Sequence, residues 1–273
     1  MEYFHEKGAI LAKGTFGIIY EIKHTPYVMK EVRDDDDDAC LFDEVLFLLE
    51  LSGSPNVIEL LDYNLSRDGK RLRMLYDRYD CSLSDCLKNQ DMKLPVSSLI
   101  SQIATGIRAC HRHRIVHGDI KPDNILIRCS SPEDWDVVLC DFGCTFYTSQ
   151  ENVGGLGTPG YRAPELCMRE LFGFEKDTRV RFSSDIWAMG CVFAEIFMHS
   201  PVEFSPLDHH QVIEEFSTLT CVPPQHETAR KYQRVRELIR EHEWMDEGVW
   251  AQMISSAYFR RPTSRRVLVE CRN

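Results

Sequence analysis

A polar segment near the middle of the chain restricts the possible folds and chemistries more than any other feature. It reads His-Gly-Asp-Ile-Lys-Pro-Asp-Asn-Ile-Leu over residues 117–126, and Cys-Asp-Phe-Gly follows at 140–143. The simplest interpretation is a pair of surface turns, because Asp and Asn favour turns through local hydrogen bonds to the backbone. So many chemically distinct groups at fixed positions make a functional interpretation much the stronger one.

The groups in this segment are those that phosphoryl transfer requires. Such a reaction depends mainly on positioning and on neutralisation of charge. A carboxylate orients the acceptor hydroxyl, a cation holds the phosphate, and oxygen ligands hold Mg²⁺. Asp119 is the candidate base and Lys121 the candidate cation. Asn124 and Asp141 are the candidate metal ligands, because Mg²⁺ prefers a few hard oxygen ligands together with phosphates and water.

Two weaker motifs in the N-terminal part would serve the same chemistry. A glycine-rich hairpin lets backbone N–H groups approach phosphate oxygens without side chains in the way. Its residues are Leu11, Ala12, Lys13, Gly14, Thr15, Phe16 and Gly17. It is not a Walker A loop, since no Gly-Lys-Ser/Thr ends it. Lys30 follows in a β-rich stretch. A lysine on a strand usually points to solvent; the alternative is that Lys30 points inward, holds the α- and β-phosphates and is held in turn by Glu44 of a predicted helix.

Composition argues against several classes of protein. The net charge of −11 argues against nucleic-acid binding, which needs a basic surface. The longest apolar run, Ile186 to Met198, is too short for a membrane span and contains Glu195. No secretory signal begins the sequence. The 11 cysteines include no Cys-x-x-Cys pair, so we expect free thiols and an intracellular location, cytoplasmic or nuclear.

The order of the patterns predicts an α+β fold. The 273 residues would fit one two-lobed unit or two small domains. Strands are predicted at Ala9–Leu11, Ile18–Ile22, Tyr27–Val32, Val57–Tyr63 and Arg71–Tyr76, with one helix at about 39–51. From residue 83 the pattern is mostly helical. Leu99, Ile103, Ile107 and Cys110 recur at the spacing of a buried helix face, and Ile186 to Phe197 is apolar on most sides.

An acidic run, Asp34 to Asp38, precedes the first predicted helix. A solvated loop is the simplest interpretation. Alternatively, these acids stabilise the N-terminus of the helix, by about 0.3–1 kcal/mol each at an exposed site. That helix would place Leu41, Val45, Leu48 and Leu49 on one face.

Together these motifs resemble the eukaryotic protein kinase family, from about residue 8 to 268. The glycine-rich hairpin, Lys30 with Glu44, the catalytic loop at 117–124 and the metal-binding Asp-Phe-Gly at 141–143 match in order. Residues 157–165 are similar to the end of a kinase activation segment, and 185–191 to the start of the central helix. Residues 260–263 resemble a late motif whose arginine, here Arg261, pairs with Glu165.

The resemblance implies a single bilobal kinase domain that binds ATP and Mg²⁺. The N-lobe would span about 1–78, the hinge about 77–80 and the C-lobe about 81–273. Leu126 would lie under the adenine, with Ile19 and Val28 above it. Tyr76 would stand at the back of the pocket, and Asp77 to Tyr79 would bind the adenine edge through the backbone. Lys121 and Thr158 match the serine/threonine pattern, in which the threonine hydroxyl contacts the catalytic aspartate and lysine.

Some segments are similar to the cyclin-dependent and MAP kinase branch, among them 161–165, 185–195 and 210–224. Pro159 and Gly160 replace the residues that this branch usually carries before Tyr161. The first helix also lacks the branch's cyclin-binding sequence. These differences argue against proline-directed specificity and against cyclin as a partner. A protein substrate, a monomer and no identified regulatory partner are expected.

Other departures concern Gly118, Ala12 and the segment 166–184. Ala12 stands at the first glycine of the hairpin, a small change. Gly118 stands where many family members carry an arginine that binds a phosphate on the activation loop, which predicts activity independent of such phosphorylation. The long segment 166–184 is either a variable surface loop or a basic contact surface for a substrate or partner.

Two other functions remain possible from the sequence. A pseudokinase would bind nucleotide as a scaffold without turnover, but it would usually lack one of the charged site residues that this chain retains. A kinase acting on a small molecule would not need Thr158 or the complete segment 161–165, which shapes a peptide-binding shelf in the family.

Overall fold

The computed structural model describes residues 7–14, 17–33, 42–66, 69–131, 134–149, 157–163, 166, 182–200, 227–254 and 261–271. The N-terminal elements are β1 (Lys7–Gly14), β2 (Gly17–Ile22), β3 (Tyr27–Arg33), α1 (Asp43–Glu50), β4 (Asp62–Leu65) and β5 (Arg71–Asp77). The strands form one antiparallel sheet in the order β1-β2-β3-β5-β4. The β-rich N-terminal part predicted from the sequence is therefore confirmed.

Strand β3 lies at the centre of this sheet and sends neighbouring side chains to opposite faces, as the pleat requires. Lys30 is paired with Ile19 of β2 and Met74 of β5. Glu31 accepts hydrogen bonds from three cations on the other face, the side chains of Lys7, Arg71 and Arg73. The side chain of Lys30 lies on the opposite face of the sheet, away from these three cations.

The C-terminal part, as far as the structure describes it, is mainly helical. Its elements are β6 (Cys81–Ser82), α2 (Leu83–Lys88), α3 (Val96–Arg112), β7 (Ile115–Val116), β8 (Ile125–Cys129), β9 (Trp135–Leu139), β10 (Phe146–Tyr147), α4 (Phe182–Met198), α5 (Glu227–His242), α6 (Glu247–Met253) and α7 (Ser264–Glu270). Short 3₁₀ turns cover Pro122–Asn124, Phe142–Cys144 and Pro159–Tyr161. Two small sheets, β6-β8-β9 and β7-β10, carry the loops between α3 and α4.

Helices α3 and α4 form the centre of this part. The predicted face of α3 is fully buried, at Leu99, Ile103, Ile107 and Cys110. Helix α4 is buried on all sides from Ser184 to Phe197, as its apolar run predicts. Each large apolar side chain buried in this way contributes about 1.5–3 kcal/mol. The indole N–H of Trp250 in α6 donates to the Gly190 carbonyl of α4, at 3.0 Å, which ties α6 to the central helix.

Three sequence predictions need correction or fall outside the described residues. The strand predicted at 57–63 is wrong, since only Asp62 and Tyr63 belong to β4. Val57 instead makes an isolated bridge to Leu139, because the backbone of Asn56 and Ile58 bonds to the end of β9.

Helix α1 begins at Asp43, and the acidic run of residues 34–38 and Leu41 are outside the described residues. Leu49 is 48% exposed rather than on the buried face, which is formed by Val45, Phe47 and Leu48. Among the described residues, no helix combines the length and the apolar character that crossing a membrane requires.

Candidate active site

Strand β3, helix α1 and the segment after β9 meet at one lysine. The Nζ of Lys30 donates to both carboxylate oxygens of Glu44, at 2.7 Å each, and to Oδ1 of Asp141, at 2.6 Å. Lys30 and Glu44 are buried, whereas the Asp141 side chain is 29% exposed. The sequence predicted that Glu44 would hold Lys30, and the structure shows that contact. It adds that Asp141 is part of the same cluster.

The charges around Lys30 keep it protonated. Burial by itself would lower the pKa of this ammonium group, but the negative charges of Glu44 and Asp141 outweigh burial and raise the pKa above its ordinary value. A buried ammonium with two carboxylates is satisfied without a ligand. Because one ammonium faces two carboxylates, the cluster carries a net negative charge, and its exposed carboxylate, Asp141, favours a cation beside it.

A second cluster forms around Asp119, in the loop between β7 and β8. The Nζ of Lys121 donates to Oδ2 of Asp119 and to the hydroxyl of Thr158, at 2.7 Å each. Both the hydroxyl and the backbone N–H of Thr158 donate to Oδ1 of Asp119, at 2.7 and 2.8 Å. The amide nitrogen of Asn124 donates to Oδ2 and to the backbone carbonyl of Asp119. Lys121, Asn124 and Thr158 are therefore each within hydrogen-bond distance of Asp119.

These contacts keep Asp119 ionised although the residue is buried. Burial works to raise the pKa of the carboxyl, but the hydrogen bonds from Lys121 and Thr158 lower it below its ordinary value. At neutral pH the group is a carboxylate, able to accept a hydrogen bond from a hydroxyl. The fit to a base or a hydroxyl-orienting group follows from this charge and from the loop's fixed geometry.

Asp185 of helix α4 holds the loop around Asp119 in place. The two carboxylate oxygens of Asp185 accept the backbone N–H groups of His117 and Gly118, at 2.9 and 3.0 Å, and the ring of His111 lies 3.0 Å from the carboxylate. Asp185 is almost completely buried. Burial opposes ionisation, but the His111 contact and the two backbone donors lower the pKa of Asp185. The sequence placed Asp185 at the start of the central helix but gave no signal for this anchoring role.

The two candidate metal ligands are linked through the end of β9. The backbone N–H of Cys140 donates to the Asn124 carbonyl, at 3.0 Å, so Asn124 and Asp141 stand on adjoining chain segments. Asp141 has a positive φ of 62°, a region that costs a residue other than glycine about 1–3 kcal/mol. The next residue, Phe142, is buried, and its ring centroid lies 4.7 Å from that of His117.

The chemistry of these side chains fits Mg²⁺. The side-chain nitrogen of Asn124 donates two hydrogen bonds to Asp119. The side-chain oxygen, Oδ1, is therefore the atom that Asn124 can offer to a metal. Lys30 bonds to Oδ1 of Asp141, and Oδ2 is the second atom that the carboxylate can present. One amide oxygen and one carboxylate, together with phosphate oxygens and water, form the donor set that Mg²⁺ prefers.

The predicted nucleotide-lining residues lie on the sheet and on β8. Val28 is paired with Tyr76 across β3 and β5. Tyr76 belongs to the main hydrophobic core, and Val28 and Leu126 pack against that core. Ile19 is paired with Ala12 and with Lys30. Strand β5 ends at Asp77, and the ring of Tyr79 in the connection to β6 lies under the guanidinium of Arg128, at 4.5 Å. The adenine-binding roles that the resemblance implies for these residues stay predictions.

The glycine-rich hairpin is only partly described. Leu11, Ala12, Lys13 and Gly14 lie exposed on β1, and Gly17 begins β2 with a φ of +152°. A Cβ at position 17 would lie 2.7 Å from the Glu31 carbonyl, so glycine is required there by space as well as by conformation. Thr15 and Phe16 lie outside the described residues, as do Glu165, the proposed partner of Arg261, and most of the segment 166–184.

Two further contacts around the site were not predicted from the sequence. The Tyr161 hydroxyl donates to the buried carboxylate of Glu195 in α4, at 3.0 and 3.1 Å. The Tyr147 hydroxyl donates to Glu50 at the end of α1, at 2.5 Å. The sequence signal for the first was present, since Glu195 interrupts an apolar helix and so required a buried partner. The second joins surface residues and left no such signal.

Comparison with known proteins agrees with this geometry. The model of the protein kinase domain matches residues 5–270. The chain belongs to the protein kinase family. The predicted family and the predicted α+β, bilobal type of fold are thereby confirmed.

Curated relatives agree with the cyclin-dependent and MAP kinase resemblance. Cyclin-dependent kinase-like 4 of Mus musculus is 27% identical over 237 residues, covering 82% of this chain and 65% of that protein. Mitogen-activated protein kinase 15 of Xenopus laevis is 26% identical over 235 residues, covering 80% of this chain and 38% of that protein. The chain thus spans less than two thirds of the length of either relative.

A solved structure gives the same fold. A chain in the structure of the CAK complex from Chaetomium thermophilum bound to ATP-γ-S matches with a TM-score of 0.72 and 22% sequence identity. The match covers 97% of this kinase chain and 89% of the other. At that identity, the likeness establishes the fold alone.

Proposed function

We propose that this kinase is an active enzyme that transfers the γ-phosphoryl group of ATP to serine or threonine hydroxyls of proteins. The arrangement around Asp119 supports the proposal most directly. Lys121 and Thr158 both bond to this carboxylate at 2.7 Å, and their bond to each other closes the triangle. The lysine and the threonine are the pair that the serine/threonine pattern of the family combines.

Within this triangle each residue has a separate task. Asp119 orients the acceptor hydroxyl and accepts its proton, because its lowered pKa keeps it a carboxylate. Lys121 places a positive charge beside the point of transfer. The hydroxyl of Thr158 bonds to both Lys121 and Asp119. Its backbone N–H also donates to Asp119, which holds Thr158 against the loop.

The Lys30 cluster binds the nucleotide in this proposal. Lys30 holds the α- and β-phosphates, and Glu44 orients it through two bonds of 2.7 Å. Asn124 and Asp141 would hold Mg²⁺, which when bound neutralises phosphate charge. The nucleotide bound in the CAK structure, ATP-γ-S, supports a nucleoside triphosphate as the donor.

A protein acceptor is supported by Thr158 and by the segment 161–165, which shapes a peptide-binding shelf in the family. The Thr158 hydroxyl lies against Asp119, at 2.7 Å, and the Tyr161 hydroxyl donates to the buried Glu195 of α4. A kinase acting on a small molecule would need neither Thr158 nor this segment.

The test is phosphoryl transfer from labelled ATP, with Mg²⁺, to a mixed peptide library. We expect label on serine and threonine. Asp119→Ala and Asp141→Ala should each abolish transfer, while Asp91→Ala, which removes an exposed carboxylate after α2, should not. ATP binding without transfer by the unaltered protein would favour the scaffold instead. Label on tyrosine alone would contradict the proposed specificity.

A further inference from the structure

Two glycines stand directly before the two residues that define the Asp119 triangle. Gly118 precedes Asp119, and Gly157 precedes Thr158. Both have positive φ angles, 81° and 73°. Side chains rarely adopt this backbone region, so each position favours glycine by conformation alone.

The two glycines also touch each other. A Cβ at position 157 would lie 2.4 Å from the Gly118 carbonyl oxygen. A Cβ at position 118 would lie 2.4 Å from the Cys144 carbonyl oxygen. Both distances are far below van der Waals contact, and the atoms approached belong to the backbone, which cannot turn aside as a side chain can.

Neither backbone segment is free to retreat. The Gly118 N–H is bound to the buried carboxylate of Asp185, at 3.0 Å. The Gly157 carbonyl accepts a hydrogen bond from the guanidinium of Arg162, at 2.8 Å. The Cys144 carbonyl belongs to the 3₁₀ turn after Asp141, whose Phe142 is buried in the core. An added methyl group would therefore displace one of these segments.

We infer that Gly118 and Gly157 are positioning residues, which set the distance between Thr158 and Asp119 through direct contact of their backbones. The Thr158 N–H and hydroxyl reach Oδ1 of Asp119 at 2.8 and 2.7 Å, and they do so because the preceding residue packs without a side chain on Gly118. The inference rests on the proposed transfer reaction. It assigns a role to the glycine that replaces the expected arginine.

One consequence runs against the family pattern. Restoring the arginine by Gly118→Arg should lower kcat rather than raise it, because any side chain at 118 enters the space of the Cys144 carbonyl. A Gly118→Arg enzyme with a kcat equal to or above that of the unaltered protein would overturn the inference.

The main test compares two glycine-to-alanine variants. Gly157→Ala should lower kcat about 100-fold, the effect of a misplacement of roughly 1 Å, while the KM for ATP stays unchanged. Gly53→Ala is the matched control for backbone strain. Its φ is +71°, no atom lies within 4 Å of its added Cβ, and it is remote from the site. It should leave kcat unchanged.

Amide hydrogen exchange supplies a readout that does not depend on activity. The Thr158 N–H is bonded to Asp119 and should exchange slowly in the unaltered protein. Gly157→Ala should accelerate its exchange, and Gly160→Ala, in the same segment with open space around the added Cβ, should not. Equal exchange in these two variants would contradict the inference. If the unaltered protein transferred no phosphate but Gly157→Ala alone accelerated the exchange, the proposed function would fail and the glycine contact would still hold Thr158 against Asp119.

Thermal unfolding separates positioning from stability. Gly118→Ala is the second variant, and at least one of Gly118→Ala and Gly157→Ala should keep a cooperative unfolding transition while losing kcat. If both failed to fold, the glycine contact would serve stability rather than positioning, and the inference would be overturned.

Discussion

The two charged clusters of the site are built in different ways. Lys30, Glu44 and Asp141 come from a strand, a helix and a loop, and only side chains join them, over a sequence separation of 111 residues between Lys30 and Asp141. Asp119, Lys121 and Asn124 lie on one short loop, whose backbone is bound to Asp185. The first cluster depends on where α1 sits, whereas the second is held by its own loop and by Thr158.

This difference predicts which cluster tolerates change. A cluster assembled by side chains from separate elements opens when one element moves, so nucleotide binding should be the sensitive step. A cluster fixed by backbone hydrogen bonds keeps its shape, and its defects should appear in the transfer step. The following experiments are ordered from the largest expected effect to the smallest.

Lys30→Met should reduce kcat/KM for ATP about 1000-fold, because it removes the phosphate cation and leaves Glu44 and Asp141 unpaired. Lys23→Met, which removes an exposed lysine from the turn between β2 and β3, is the control and should change nothing. Steady-state kinetics at varied ATP measure both. An unchanged KM with reduced kcat would break the assignment of this cluster to nucleotide binding.

Thr158→Val should lower kcat about 10- to 100-fold with little effect on the KM for ATP, since it removes the hydroxyl shared by Asp119 and Lys121 but keeps the shape. Thr158→Ser restores a hydroxyl and should recover most of the rate. Kinetics with a peptide acceptor would show this. Equal rates for the valine and serine variants would mean that the hydroxyl has no part in transfer.

Asp185→Asn tests the anchor of the loop cluster and its pH dependence. The folded pKa of Asp185 lies below its ordinary value of 3.8, so its carboxylate contributes stability above that pH and loses the contribution as the pH falls through the folded pKa. The variant should lose about 2–3 kcal/mol of unfolding free energy at pH 7.

Denaturant titrations of both proteins between pH 7 and pH 3 measure this difference. The loss should shrink below pH 3.8, because the unaltered protein then loses the same contribution. If the difference in unfolding free energy between the two proteins stayed constant from pH 7 to pH 3, the charge of the Asp185 carboxylate would not be what stabilises the loop.

Tyr147→Phe should have the smallest effect. It removes the hydroxyl that donates to Glu50 at the end of α1, a bond worth about 1 kcal/mol, or roughly fivefold in an equilibrium constant. If this bond helps to hold α1, the KM for ATP should rise by up to that factor while kcat stays constant. Tyr63→Phe, on an exposed tyrosine of β4, is the control. An unchanged KM would show that α1 keeps its place without this hydrogen bond.

Much of the fold was visible in local patterns. The buried faces of α3 and α4 followed from apolar spacing, because burial along a helix repeats with the helical turn. The strand predicted at 57–63 was wrong because the backbone partners of this segment are distant in sequence. Val57 and Ile58 are apolar and buried, but their backbone bonds to the end of β9 rather than to the sheet, and no local pattern carries that choice.

The site shows the same division. The sequence named Asp119, Lys121, Asn124 and Asp141, because a loop of such groups is needed for one kind of chemistry. It also named Lys30 and Glu44 as a pair. It did not show that Asp185 anchors the loop, that Tyr161 bonds to Glu195, or that Gly157 touches Gly118, since each of these joins residues far apart in the chain.

The sequence by itself determined which chemical groups the protein carries and the order in which they occur, and hence the family. Only the tertiary structure decided which groups share a hydrogen bond, which of them are buried, and which positions have no room for a side chain. The physical reason is that composition and spacing act locally along the chain, whereas charge pairing and close packing depend on distances through space.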